Sequence, residues 1–261
     1  MDATMQRPLK LLLLGGTSES SRFAKDAARM PGVATLLSLA GRTNQAAPSP
    51  VPVRVGGFGG IDGLENYLQR ENVDVVVDAT HPFAAQISSN AIAACAKANV
   101  PLIAIERPPW ERRDRDTWSE HATAEDAIAA LPEAPTTVFS ALGRSAIPLL
   151  CARPQHHYVI RIVDPIVPPP ELSDTVIISA RGPFQAEDDI ALFLEYRIAR
   201  VLAKNAGGDA AYSKIEAARQ LQLPVHMVER PTIAKRLAVR TSDDALAWIT
   251  HLQASRTKRG V

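Results

Sequence analysis

Apolar residues fall along this chain in short unbroken runs, each closed by glycine or a polar turn and followed by a stretch of helical periodicity. Such a run reads as a strand buried on both faces. Its regular alternation with helices predicts a mostly parallel sheet covered on both sides. The first strand, Lys10 to Leu14, ends at Gly15-Gly16, and a helix is expected from about Glu19 to Met30. Strands follow at Ala34 to Ala40 and at Pro52 to Val55, separated by a proline- and alanine-rich loop, and the second of them ends in Gly56-Gly57-Phe58-Gly59-Gly60. A helix near Asp62 to Gln69, the strand Val73 to Asp78, the helix Phe83 to Ala98 and the strand Val100 to Ile105 complete one doubly wound unit.

The pattern repeats after Pro132. Strands are expected at Thr136 to Ser140, Tyr158 to Val163, Val176 to Ile178, Arg200 to Ala203 and Val225 to Val228. Helices fall at Ala186 to Tyr196, Ala210 to Leu221 and Asp243 to Leu252, and the tail from Arg256 is expected to fray. The chain therefore reads as two Rossmann-like α/β domains, residues 1–133 and 134–261, with a cleft between them. Ligands of such folds gather at the carboxyl ends of the strands.

Composition narrows the function class. With 46% apolar and 22% charged residues, a packed core is expected rather than wholesale disorder. A net charge of +1 argues against a nucleic-acid partner, which would call for a basic excess. No apolar run approaches the ~20 residues that span a bilayer, so no membrane partner is expected. The leucines before Gly15 are too few for a signal core, and Cys95 and Cys151 read as buried thiols of a reducing, cytoplasmic compartment.

Candidate chemistry concentrates at the strand ends. The loop Gly15-Gly16-Thr17-Ser18-Glu19-Ser20 departs from the GxGxxG spacing, yet keeps a tight glycine turn before a helix start, where amides and the helix dipole favour a phosphate. Capping of the helix by Ser18 and Glu19 explains the same residues equally well. The end of the second strand, Ser38-Leu39-Ala40-Gly41-Arg42-Thr43, carries an arginine where NAD-binding members place an acid. Arg42 can fork onto a 2′-phosphate, with Ser38 and Thr43 adding hydroxyls, and this conjunction favours NADPH over NADH. Thr80-His81-Pro82-Phe83 forms the turn after a central strand, within reach of a nicotinamide ring, and Asp78 could cap the helix behind it. His156, His157 and Tyr158 read as structural, because no neighbouring cysteine or carboxylate cluster gives metal spacing. The bare architecture also fits a two-domain nucleotide-dependent transferase, or a non-catalytic small-molecule binding protein.

Together LLLLGGTSES, SLAGRT, VRVGGFGG, VVDATHPFA, ERPPW, VLAKNAGG with KIEAA, and PVHMVERP resemble, in content and order, the precorrin-6A reductase family of cobalamin biosynthesis. The resemblance runs from about Leu11 to Pro231, nearly the whole chain. It implies hydride transfer from NADPH to one double bond of precorrin-6A, a large modified tetrapyrrole, with no flavin or metal. Gly15 to Ser20 and Ser38 to Thr43 match the family's cofactor turns, and Thr80 to Phe83 and Lys204 to Gly208 match turns facing the cleft. A macrocycle ringed by carboxylates calls for dispersed cations and an apolar floor. Arg107, Trp110, Arg144, Lys204 and Asn205 are the substrate-binding candidates, ahead of Arg112, Arg113, Arg161, Arg181 and Arg230. Lys204 and His81 are the candidates for delivering or positioning the proton that reduction requires, with bulk water or a substrate carboxylic acid as the alternative sources. Transient contact with neighbouring pathway enzymes is the only protein partnership expected.

Overall fold

The computed structural model describes residues 7–41, 48–166 and 168–259. Elements numbered in chain order fall into two compact units, one built from the chain up to Arg107 together with Thr232 onward, the other from Pro108–Pro231. The first holds β1 (Leu9–Leu14), α1 (Ser18–Ala27), β2 (Val33–Leu39), β3 (Val53–Val55), α2 (Gly60–Arg70), β4 (Val75–Asp78), α3 (Ala85–Ala98) and β5 (Leu102–Ile105). The second holds β6 (Trp118–His121), α4 (Ala124–Ala129), β7 (Thr137–Ser140), α5 (Ile147–Leu150), β8 (His157–Ile162), β9 (Thr175–Ser179), α6 (Ala186–Glu195), β10 (Arg200–Lys204), α7 (Ser213–Gln220) and β11 (Val225–Val228). The returning segment adds β12 (Ala238–Val239) and α8 (Ser242–Arg259) to the first unit.

Each unit is built on one six-stranded sheet, ordered β12-β5-β4-β1-β2-β3 in the first and β6-β11-β10-β7-β8-β9 in the second, with every described pairing parallel. Strand β1 shows why the sequence folds this way. Leu9, Leu11 and Leu13 enter one core cluster with Phe23 of α1 and Ala245 and Ile249 of α8. Leu12 and Leu14 enter another with Leu64 and Leu68 of α2 and Ala91 and Ala94 of α3. A strand clad on both faces needs apolar residues at consecutive positions, and each buried leucine contributes ~2 kcal/mol. Lys10 alone escapes, its ammonium donating to Glu71 O at 2.7 Å.

The units divide the chain differently from the expected boundary at residues 133 and 134. Trp118–His121 joins the second sheet because β6 pairs with β11, and α8 joins the first because its apolar face packs on β1 and α1. Neither β6, a short and mostly polar edge strand, nor α4, a helix of 6 residues, is among the elements the sequence predicts. The tail expected to fray from Arg256 is helical through Arg259. Among the described residues no helix is long and apolar enough to cross a membrane.

At the β6 edge, His226 of β11 stacks on His121, ring centroids 5.4 Å apart. Burial first, then His121 and the charge of Arg200, push its pKa down to about 4. An unfolded histidine titrates near 6.5, so between about pH 6.5 and 4 the unfolded chain takes up a proton that the folded chain refuses. The stabilisation is complete above the upper value and lost as pH falls, by up to ~3 kcal/mol. Urea midpoints measured from pH 7 to 4.5 should fall more steeply for the wild type than for His226→Gln. Parallel curves would exclude His226 as the cause.

Candidate functional site

In each sheet the strand order reverses between two neighbours, β1 and β4 in the first and β7 and β10 in the second. The carboxyl ends of such a pair form the ligand crevice of a doubly wound fold. The loop after β1 and the turn after β4 meet at the first reversal, and Lys204, the last residue of β10, opens the turn to Gly208 at the second.

The β1 loop is shaped by its own side chains. Thr17, not Ser18, is the N-cap of α1, its Oγ1 accepting from Ser20 N at 3.1 Å. Ser20 Oγ accepts from Gly16 N and Thr17 N, both at 3.0 Å, so this buried hydroxyl holds the turn closed from inside. Among the described residues no hydrogen bond takes up the Ser18 amide, which leaves it for an anion together with the dipole of α1. Gly16 sits at φ +117° with open space where a Cβ would stand, whereas a Cβ on Gly15 would meet Leu37 Cδ1 at 2.5 Å. One glycine packs against β2 and the other leaves the backbone edge clear, as a phosphate cradle requires. Thr17 Oγ1 also donates to Ala79 O at 2.7 Å, tying this loop to the turn after β4.

That second turn is organised by Asp78. Its Oδ1 accepts from Thr80 N at 3.1 Å and Thr80 Oγ1 at 2.7 Å. Its Oδ2 accepts from Ser88 Oγ at 2.7 Å and lies 3.3 Å from Arg236 Nη2. Phe83 N donates to His81 Nδ1 at 3.2 Å, which leaves Nε2 to carry the hydrogen of the neutral imidazole. Pro82 and Phe83 are half-buried beside it. Asp78 thus shapes the turn instead of capping the helix.

At the β2 end, buried Ser38 accepts from Arg54 Nη1 at 2.8 Å, and Gly41 turns the chain at φ +72°. Arg42 and Thr43 lie outside the described residues. Arg107 places Nη1 at 2.9 and 2.8 Å from the two carboxylate oxygens of Glu19. Burial opposes ionisation of Glu19, but the hydrogen bonds and charge of Arg107 outweigh it and hold the carboxyl below the usual range.

In the second unit Asn205 clasps Trp110 from both sides. Its Oδ1 accepts from Trp110 N at 2.7 Å and its Nδ2 donates to Trp110 O at 3.0 Å. The Trp110 indole donates to Gly208 O at 2.7 Å, and its ring is buried in the core of this unit. Arg230 donates to Asn205 O and Ala206 O, each at 3.0 Å. Trp110, Asn205 and Arg230 are therefore the frame of the Lys204–Gly208 turn. Lys204 is half-buried at its start, and Arg144 is exposed at the turn after β7. Arg161 is spent on a buried ion pair with Asp189, to which Ser213 also donates at 2.6 Å. His156 Nδ1 accepts from Thr136 N at 3.2 Å, and Tyr158 donates to Arg153 O at 2.9 Å, both structural bonds. Among the described residues no group of three or more His, Cys, Asp or Glu could hold a metal ion.

Sequence reasoning missed Arg54 and Arg236. Register carried a signal for the first, since Arg54 pairs across from Ser38. Nothing local signalled Arg236, which arrives on the returning segment.

The family model described as precorrin-6x reductase CbiJ/CobK matches residues 10–250. A precorrin-6A reductase of Rhodobacter capsulatus is 46% identical over 97% of this chain and 99% of its own length. A cobalt-precorrin-6A reductase of Priestia megaterium is 26% identical over 95% of this chain and 99% of its own length. A solved structure, CobK precorrin-6A reductase, superposes with a TM-score of 0.88 at 46% identity, covering 93% of this chain and 96% of that one. A family model matched over residues 10–250, a relative 46% identical over nearly its whole length and a solved structure that superposes at a TM-score of 0.88 lead to one conclusion: the chain belongs to the precorrin-6x reductase family CbiJ/CobK, reductases of cobalamin biosynthesis.

Proposed function

We propose that this protein reduces one double bond of metal-free precorrin-6A with NADPH. Membership in a reductase family implies a nicotinamide-type cofactor. The observation that carries the reading is the β1 loop, where Gly16 leaves backbone clearance and α1 presents its N-terminus at the sheet's reversal point. Gly15 to Ser18 would hold the pyrophosphate, with Glu19 and Ser20 fixing the loop's shape. Ser38, Gly41, Arg42 and Thr43 would receive the phosphorylated ribose, and Thr80 to Phe83 would flank the nicotinamide. When bound, the cofactor supplies the hydride.

The chain's own residues would do the rest. Lys204 and Arg144 would meet substrate carboxylates at the second reversal point, with Trp110 and Asn205 holding that turn in shape. Arg107 acts first on Glu19. His81 and Lys204 are the candidates for delivering or positioning the proton. Preference for the metal-free macrocycle follows the relatives, since precorrin-6A reductases are 36–46% identical to this chain and cobalt-precorrin-6A reductases 25–28%.

The test is NADPH oxidation with purified precorrin-6A. Turnover is expected with the metal-free substrate and is weaker with its cobalt counterpart. Arg42→Ala should raise the KM for NADPH by ~10- to 100-fold, about the worth of a lost charge-assisted phosphate contact, and leave that for NADH nearly unchanged. No oxidation above a substrate-free control would overturn the functional reading, and an equal effect on both cofactors would overturn the role of Arg42.

A further inference from the structure

We infer that Arg54 is a second determinant of cofactor choice, its guanidinium walling the adenosine end of the site beside the 2′-phosphate; this rests on the NADPH reading above. In a doubly wound sheet a dinucleotide crosses the strand ends from the reversal point, and its adenosine ribose lies at the end of the second strand. Arg54 stands on the neighbouring edge strand β3, in register with Ser38 of β2.

Its guanidinium is held from several directions. Nη1 donates to Ser38 Oγ at 2.8 Å and to Gly56 O at 3.0 Å, and Nη2 donates to Gly57 O at 3.1 Å. One flat face lies over the Phe58 ring, 3.9 Å from the centroid, and Tyr67 meets Phe58 edge-on at 5.1 Å. Every one of these partners is neutral. Among the described residues no carboxylate forms an ion pair with Arg54, although an arginine is charged at all working pH values. A cation set in place by neutral groups, and only half-buried, keeps its charge available to an anion without having to reorganise.

The neighbouring loop offers room for a flat ring. Gly56, Gly59 and Gly60 have φ of +120°, +86° and +84°, and no atom lies within 4 Å of where a Cβ would stand. A 2′-phosphorylated adenosine matches both features. Its purine suits the stacked guanidinium, and its extra phosphate suits the charge.

A purely structural Arg54, one that only pins the glycine loop, would affect any adenosine ligand equally. The discriminating probes are 2′,5′-ADP and 5′-AMP, titrated calorimetrically into the full chain, with thermal melts as a fold control. The wild type should prefer 2′,5′-ADP, and Arg54→Gln should weaken it by tenfold or more while weakening 5′-AMP less than threefold. Arg54→Lys, which keeps the charge and loses the fork, should fall between, and it reads the same ratio if Arg54→Gln fails to fold. A wild-type preference that survives intact in both variants overturns the assignment of Arg54 alone. No preference in the wild type overturns the NADPH reading and this inference together.

Discussion

Asp78→Ala is expected to remove ~3–5 kcal/mol of stability, the loss typical of stripping one partner from a buried charged network. Asp78 is 1% exposed at the carboxyl end of β4, and its two oxygens serve Thr80 twice, Ser88 once and Arg236 once. The variant leaves Ser88 and the guanidinium of Arg236, whose side chain is 9% exposed, facing a cavity; Glu106, 2.7 Å from Arg236, is the ion pair that remains. Asp78→Asn preserves the shape and should cost less, because one amide group can still accept from Thr80. Urea denaturation measures both. A loss below ~1 kcal/mol in the alanine variant, the scale of a single neutral hydrogen bond, would show that the network is not cooperative. The same substitution frees the Thr80–Phe83 turn, so on the NADPH reading it should also raise the KM for cofactor.

Asp78 illustrates which parts of the molecule could be read from sequence. Its place at a strand end was visible, because the run before it is apolar at consecutive positions and a turn follows. The same reasoning located β1, β2 and β11 to within a residue or so, and predicted two doubly wound units. These features are local, since a strand covered on both faces writes its burial into adjacent residues. What Asp78 does was not visible, because Arg236 reaches it from far along the chain. Arg107, a substrate-cation candidate, pairs with Glu19, and Trp110, a substrate-binding candidate, is held in the core of its unit by Asn205; neither partner is legible in the sequence. In each case the partner lies 88 to 95 residues away, where periodicity carries no information.

Gly63→Ala should be nearly as damaging, costing at least ~3 kcal/mol, the upper range for forcing atoms into a packed site. A Cβ there would stand 1.9 Å from Phe58 O and 2.9 Å from its carbonyl carbon. Both obstacles are backbone, so relief requires moving the loop against α2; no rotamer change would suffice. That loop carries Phe58, on which Arg54 stacks, and displacing it should also weaken 2′,5′-ADP binding. Gly57→Ala is the matched control, since nothing lies within 4 Å of its added carbon. The expected result is a large fall in the melting temperature for Gly63→Ala and almost none for Gly57→Ala. Comparable melts for the two variants would mean that the loop yields easily.

The route of the chain also bears on how the protein is made. Residues up to Arg107 leave the ribosome first, yet their sheet lacks its edge strand β12, and the α1 side of its core lacks α8. Leu9, Leu11, Leu13 and Phe23 must wait through the synthesis of Pro108–Pro231 before Ala245, Ile249 and Trp248 arrive to cover them. At ~5–20 residues per second that interval lasts on the order of ten seconds, during which an apolar face stands open to chaperones or to aggregation. The second unit is contiguous in sequence and can close as soon as it emerges. A chain halted after Pro231 would therefore hold a complete second unit beside a first unit stripped of one wall of its core.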